Sequence, residues 1–157
     1  AQSFDTRIDI LQPMYSLVKR QVEVEILPMC VDQGIHVAPY SPLGGGLLTG
    51  KYAAGATGRL TEDERYAARY GQSWMYDAAA ALAAKAAERG IDPATLAVAW
   101  VMAHSSRPMP IISARNLEQL QPSLAARDFE MTTELYDELS ALSPKPAPAT
   151  DRLEEQA

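Results

Sequence analysis

Apolar residues come in short bursts, separated by stretches with a helical period. Residues 8–12 carry Ile8, Ile10 and Leu11 and end at Pro13, which predicts a short strand with a hard stop. Val22, Ile26, Leu27, Cys30 and Val31 recur at three- and four-residue steps, the spacing of a helix. Pro28 interrupts that helix or sits in its first turn, and Gly34 ends it. Ile35, Val37 and Ala38 predict a second strand. Residues 39–73 read as one long irregular stretch, rich in glycine and charge. A loop of that length within a compact domain is functional or mobile. Residues 74–89 are Ala-rich and strongly helical, with Gly90 as the stop. Asp92 and Pro93 restart a helix, Asp as its cap and Pro at its first position. That helix runs towards His104, where a C-terminal dipole favours an imidazole. Residues 109–112 predict a third strand. Asn116 caps a helix with Leu117, Leu120 and Leu124. A last helix begins near Thr132, with Glu134 in its first turn, and carries Leu135, Leu139 and Leu142.

Strands alternating with helices imply parallel pairing and right-handed crossovers, hence an α/β fold. The strands lack strict alternation of apolar and polar residues, as expected when both faces are covered. Three parallel strands leave two open edges that something must cover. The 157 residues suit one domain, but a complete eight-stranded (β/α) barrel needs ~250. From Ser143 onward the chain is rich in Pro, Ala and charge. The expected division is a folded part over 1–142 and a flexible or loosely laid tail over 143–157.

Charge removes some partners. Twenty acidic residues against 14 basic ones leave a net charge of −6, a poor match to nucleic acid or an anionic membrane. No apolar run approaches the ~20 residues needed to cross a bilayer, and no basic-then-apolar leader opens the chain. Residue 1 is Ala, so the expectation is a start that is processed, tagged or cut from something longer. Cys30 is the only cysteine, which fits a reducing compartment, and the expected location is the cytoplasm. His36 and His104 have no second ligand at metal-binding spacing, so no metal is expected.

In parallel α/β assemblies ligands bind at the carboxyl ends of the strands. The three predicted ends carry Gln12, then Tyr40 and Ser41, then Ser113, Ala114 and Arg115. The second end runs into Pro42, Leu43 and the glycines 44–46, followed by Lys51 and Arg59. Consecutive glycines let backbone approach a phosphate, although a packing turn needs them equally. Gly45 to Lys51 has the glycine and lysine spacing of a P-loop, but Tyr52 stands where the magnesium-holding Ser or Thr belongs. Tyr40 suits stacking on a flat heterocycle or a half-buried rim position. An Arg at a helix start suits an anion or plain solvent.

Together these runs resemble the aldo-keto reductases, nearest the bacterial branch that is similar to potassium-channel beta subunits. The resemblance rests on 11–17, on 38–52 with its Tyr-Ser-Pro-Leu-Gly-Gly-Gly run, and on 110–120 with its Ser-Ala-Arg-Asn start. It implies a (β/α)8 TIM barrel of which this chain is the C-terminal half, about strands six to eight with their helices. It implies NADPH as cofactor and a small carbonyl compound as substrate. Gln12 would hold the nicotinamide carboxamide and Tyr40 would stack on its ring. Ser41, Pro42, Leu43 and Gly45 would line the pyrophosphate, with Lys51 and Arg59 near the phosphates. Ser113, Ala114 and Arg115 would face the adenosine 2′-phosphate, and Gln119 the adenine. Pro122 and Ser123 stand where the family has an acidic residue and an Asn toward adenine, so contacts there and the local helix depart from the pattern. The family's catalytic Asp, Tyr, Lys and His lie in its N-terminal half and none falls in this chain. The expectation is an oxidoreductase fragment that grips cofactor without performing the chemistry. The alternative is a non-catalytic, regulatory or self-associating half-barrel, with the missing half or a second copy over the open edge.

Overall fold

The computed structural model describes residues 7–53 and 55–148. The final part of the expected tail, 149–157, lies outside the described residues. Two parallel strands pair, β1 (Ile10–Leu11) with β2 (His36–Val37), Ile10 opposite His36 and Leu11 opposite Val37. Backbone bonds carry the pairing past both strands: His36 N–H donates to Asp9 at 2.9 Å, Ala38 to Leu11 at 2.8 Å and Tyr40 to Pro13 at 3.0 Å. The crossover between them holds a single 3-10 turn at Gln21–Glu23 and helix α1 (Ile26–Gln33). Val22 thus belongs to the turn, not to the helix expected from its spacing. Pro28 sits in the first turn of α1, where its missing N–H costs nothing. Gly34 closes α1 in the left-handed region at φ 65°.

The third expected strand is only half made. Met109 N–H donates to the Val37 carbonyl and Ile111 N–H to that of Pro39, both at 2.8 Å. In a parallel ladder the return bond to Met109 would come from residue 39. That residue is Pro39, which has no N–H. The next return donor is Ser41, whose φ of 58° has already turned the chain away. The segment therefore lies beside β2 on one-way bonds without completing a strand.

The stretch 39–73 differs more from expectation. It holds a tight helical turn at Gly44–Thr49 and the short helices α2 (Arg59–Glu62) and α3 (Glu64–Tyr70). The Asp63 carboxylate accepts the Arg65 N–H at 2.9 Å and starts α3 as a cap. Charge along 59–70 hid an apolar set, Leu60 and Tyr70 being buried.

Helix α4 (Ser73–Glu88) packs on α5 (Pro93–Met102). Asp92 caps α5 by accepting the Ala94 N–H at 2.7 Å. Ala94 through Val101 are all buried, so α5 is the central helix of the molecule. Helix α6 (Leu117–Ala125) runs through Pro122 instead of breaking there. The Thr95 hydroxyl donates to the Pro122 carbonyl at 2.7 Å and ties α6 to α5. Helix α7 (Thr133–Ser140), capped by Thr132, closes the core with Leu135 and Leu139. The start of the tail is docked: Ser143 is buried and accepts from Arg20.

Two edges stay apolar and exposed. Ile8 and Ile10 are 59% and 47% exposed on the β1 side, and Met109 and Ile111 54% and 42% on the other. Leu82 is fully buried in α4. Leu82→Ala is expected to cost ~2–5 kcal/mol. Leu124→Ala, at a half-exposed site of α6, stays within ~0.5 kcal/mol. Urea unfolding of the intact protein measures both; equal midpoints would contradict the assigned core.

Candidate functional site

Parallel pairing aligns strand ends. Tyr40 N–H on Pro13 and Ile111 N–H on Pro39 put the chain after β1, after β2 and after residue 111 on one rim. Gln12 is exposed at the first end. Tyr40 is 39% exposed at the second. Ser41 turns the backbone sharply, Pro42 is buried, and Leu43 is half-buried against both core clusters.

The glycine turn has two jobs. Gly44, Gly45 and Gly46 all have positive φ, at 57°, 67° and 94°. At Gly45 a Cβ would lie 2.9 Å from Tyr66 and 3.3 Å from Tyr70, so the turn needs glycine there for packing. The Gly44 and Gly46 N–H groups donate to the carbonyls of Ser41 and Leu43, each at 3.0 Å. Those donors are spent within the turn, so its contribution to an anion site comes from close approach and from neighbouring cations. Lys51 Nζ lies 4.7 Å from the Tyr52 ring and donates to the Thr57 carbonyl at 3.4 Å. Arg59 lies over the Tyr66 ring at 5.5 Å. Neither has a carboxylate within salt-bridge distance among the described residues.

At the third end Ser113, Ala114 and Arg115 are exposed. Arg115 Nη2 reaches Glu62 of α2 at 3.9 Å, which brings this end beside the helices after the glycine turn. The Arg115 N–H donates to Gln119 Oε1 at 3.3 Å, and Asn116 caps α6 by accepting the Gln119 N–H at 2.9 Å. Ser123 is buried at 4% exposure, one turn beyond Gln119 on α6.

A polar cluster under this rim escapes sequence reading. Arg20 donates to both Glu23 oxygens at 2.9 Å, to the Ser140 carbonyl at 2.7 Å and to Ser143 Oγ at 3.2 Å. Its guanidinium lies 5.4 Å from the Trp100 ring. Tyr15, fully buried, donates to Glu23 at 2.8 Å, and burial pushes its phenol far above the ordinary range. Trp100 stacks on Tyr136 at 5.6 Å and donates to Ser140 Oγ at 2.9 Å. The Arg20–Glu23 spacing is the one sequence signal for this cluster; its other members are remote in the chain.

His104 meets the Tyr15 ring edge-on at 5.9 Å, and its Nδ1 lies 3.1 Å from the Ser106 N–H. Burial pushes its pKa down, with Arg20 adding to the effect and Glu23 opposing it. The imidazole is thus held neutral, and the expected attraction of an imidazolium to the helix dipole is outweighed.

The fold and rim define a parallel α/β protein with a cationic, aromatic strand-end site. The chain belongs to the aldo/keto reductase family, whose model matches residues 1–144. It is 32% identical over 139 residues to the "Uncharacterized oxidoreductase YrpG" of Bacillus subtilis, covering 88% of this chain and 41% of that protein. It is 31% identical over 126 residues to the "NADH-specific methylglyoxal reductase" of Escherichia coli, covering 80% and 39%. It is 31% identical over 158 residues to the "Probable voltage-gated potassium channel subunit beta" of rice, Oryza sativa subsp. japonica, covering 90% and 47%. The chain thus spans less than half the length of each of these relatives. The family fold is a (β/α)8 barrel, and the described α/β arrangement is compatible with part of one. No helix among the described residues is long and apolar enough to cross a membrane, and none of their His, Cys, Asp and Glu form a metal-holding group.

A half-buried His104 with a lowered pKa makes stability depend on pH. Its folded pKa lies below the ordinary 6.5, so below pH 6.5 the unfolded chain binds the extra proton. Stability is expected to be full above pH 6.5 and to fall as the pH drops below it. His104→Gln flattens that slope. Urea midpoints between pH 7.5 and 5.5 measure it; an unchanged slope in the variant would refute the lowered pKa of the half-buried imidazole.

Proposed function

We propose that this chain is the cofactor-holding C-terminal half of a cytoplasmic, NADPH-dependent aldehyde or ketone reductase, about strands six to eight of the family barrel. The observation that carries the reading is the convergence of three strand ends on one rim, through the Tyr40–Pro13 and Ile111–Pro39 backbone bonds. It gathers an exposed amide, an exposed aromatic ring and three cations onto one side.

The residues present suit an extended dinucleotide. Gln12 offers a donor and an acceptor to a carboxamide. The half-open Tyr40 ring suits a nicotinamide face. Ser41, Pro42, Leu43 and Gly45 bring backbone close to a pyrophosphate, with Lys51 and Arg59, which meet no carboxylate among the described residues, to face its charge. Ser113, Ala114 and Arg115 serve a 2′-phosphate, with Gln119 toward the adenine. Ser123, the remaining residue of the set, is buried and supports α6 more than it meets solvent. When bound, the nicotinamide supplies hydride to a carbonyl carbon, and the protein supplies orientation and electrostatics. The proton for the carbonyl oxygen falls to the family's tetrad, outside this chain.

The exposed edges at Ile8 and Ile10 and at Met109 and Ile111 favour a covering partner. In this reading it is the remainder of the barrel. A second copy over the same edges is the non-catalytic alternative, in which cofactor occupancy regulates a partner.

Fluorescence titration with NADPH and NADH tests the cofactor assignment. Arg115→Glu is expected to weaken NADPH at least tenfold more than NADH; equal losses would overturn the 2′-phosphate role. A second assay follows NADPH oxidation by the 157-residue chain alone with a simple aldehyde. No turnover is expected, and detectable turnover would refute a tetrad lying elsewhere.

A further inference from the structure

A second concavity shares no lining residue with the glycine turn. It is a groove of about 570 Å³ between the chain after β1, the start of α4 and the docked tail. That size suits a small organic ligand. Its walls are apolar, with Met14, Leu17, Trp74, Met75, Pro144 and Pro146 among them. Among the described residues its charged members are Lys19, Arg20 and Lys145, with no carboxylate beside them.

The three cations are not equivalent. Arg20 is committed to Glu23 by two bonds at 2.9 Å. Lys19 has no carboxylate within salt-bridge distance among the described residues. Its ammonium lies 5.7 Å from the Tyr70 ring. Burial pushes its pKa down, and the positive charge of Arg69 nearby adds to that. A half-buried ammonium beside a second cation gains most from an arriving anion. Its backbone is held as well, because Lys19 and Ser16 exchange hydrogen bonds at 2.9 and 3.1 Å. That fixes where the side chain leaves the backbone, beside the groove.

We propose that this groove binds a small organic carboxylate, its apolar body against Trp74, Met75 and Pro146 and its anionic end on Lys19. Lys145 flanks the groove from the tail. Arg20 is a positioning residue: it holds Ser140 and Ser143, and so sets the wall that follows them. Neither a nicotinamide nor a carbonyl reaction enters the argument, so the site stands or falls separately from the reductase reading.

Two probes of one shape separate charge from apolar contact. Ligand-observed NMR on the intact protein compares 2-naphthoate with 2-naphthylmethanol at low salt. The carboxylate is expected to bind about tenfold tighter, a preference that salt reduces. Lys19→Met keeps the apolar stem and removes the charge, and is expected to abolish the preference while leaving the alcohol's affinity within about twofold. Arg127→Gln removes one positive charge outside the groove and keeps the preference. Trp74→Ala weakens both probes together. Thermal unfolding confirms that each variant is folded. NADPH titration of Lys19→Met, expected to match the parent, keeps the two sites distinct. Equal binding of the two probes, binding of neither, or a preference that survives Lys19→Met would overturn the proposal.

Discussion

The Arg20 guanidinium spends its donors in three directions. Two go to Glu23, one more is shared by the Ser140 carbonyl and Ser143 Oγ, and its face covers Trp100. These contacts join the loop after β1, the central helix α5 and the end of α7, stretches up to 123 residues apart in the chain. A buried pair of this kind gains little net stability, because desolvating both charges offsets their attraction. Its consequence is placement. With Glu23 held, Tyr15 has an acceptor for its buried hydroxyl; with Ser140 held, the Trp100 indole has one too. Replace the pair by apolar side chains and the core would still fill, but three segments would lose their common anchor.

Local chemistry written within a few residues was legible in the sequence. Gly34, Asp92 with Pro93, Asn116 and Thr132 mark helix ends where the structure has them. The family was legible for the same reason, since its motifs are contiguous runs. What could not be read were effects that need two distant segments at once. The third strand fails because of Pro39 on its neighbour, not because of anything in 109–112. Pro122 lies within α6, where Thr95 of the distant α5 donates to its carbonyl. Residues 59–70 looked like a charged loop, yet Leu60 and Tyr70 are buried beneath the glycine turn, where a Cβ on Gly45 would strike Tyr66 and Tyr70. Of the candidate site, the residue types were visible; that Gly44 and Gly46 turn their donors inward was not.

Proline explains why the sheet stops where the site begins. Pro13 and Pro39 lie on the paired segments and each removes one ladder donor, whereas Pro108 and Pro110 flank the donors Met109 and Ile111 with their own nitrogens on the side away from β2. Their carbonyls still accept: Pro13 from Tyr40 and Pro39 from Ile111. Beside residues 109–111 the bonds stay one-way; after β1 the Tyr15 N–H still returns a bond to the Tyr40 carbonyl at 3.2 Å, and pairing then ceases, freeing the next residues for turns. Ser41 uses that freedom at once, at φ 58°. A regular ladder would have carried the backbone of Ser41 on into the sheet beyond the Met14–Tyr40 bridge.

Net charge says little about this face. Most acids that meet a partner do so away from the rim: Glu23 holds Arg20, and Glu138 holds Lys85 and Arg89. Close to the glycine turn, Asp63 is taken up by Arg65, which keeps its carboxyl below the ordinary range. Glu62 meets only Arg115, at 3.9 Å and largely in solvent, a contact weak enough to yield to a stronger anion. Lys51, Arg59 and Arg69 lean on tyrosine rings instead of carboxylates. A ring face orients a cation without neutralising it. Local potential, not the net charge of −6, governs what a cleft attracts, and these cations keep their charge on this side.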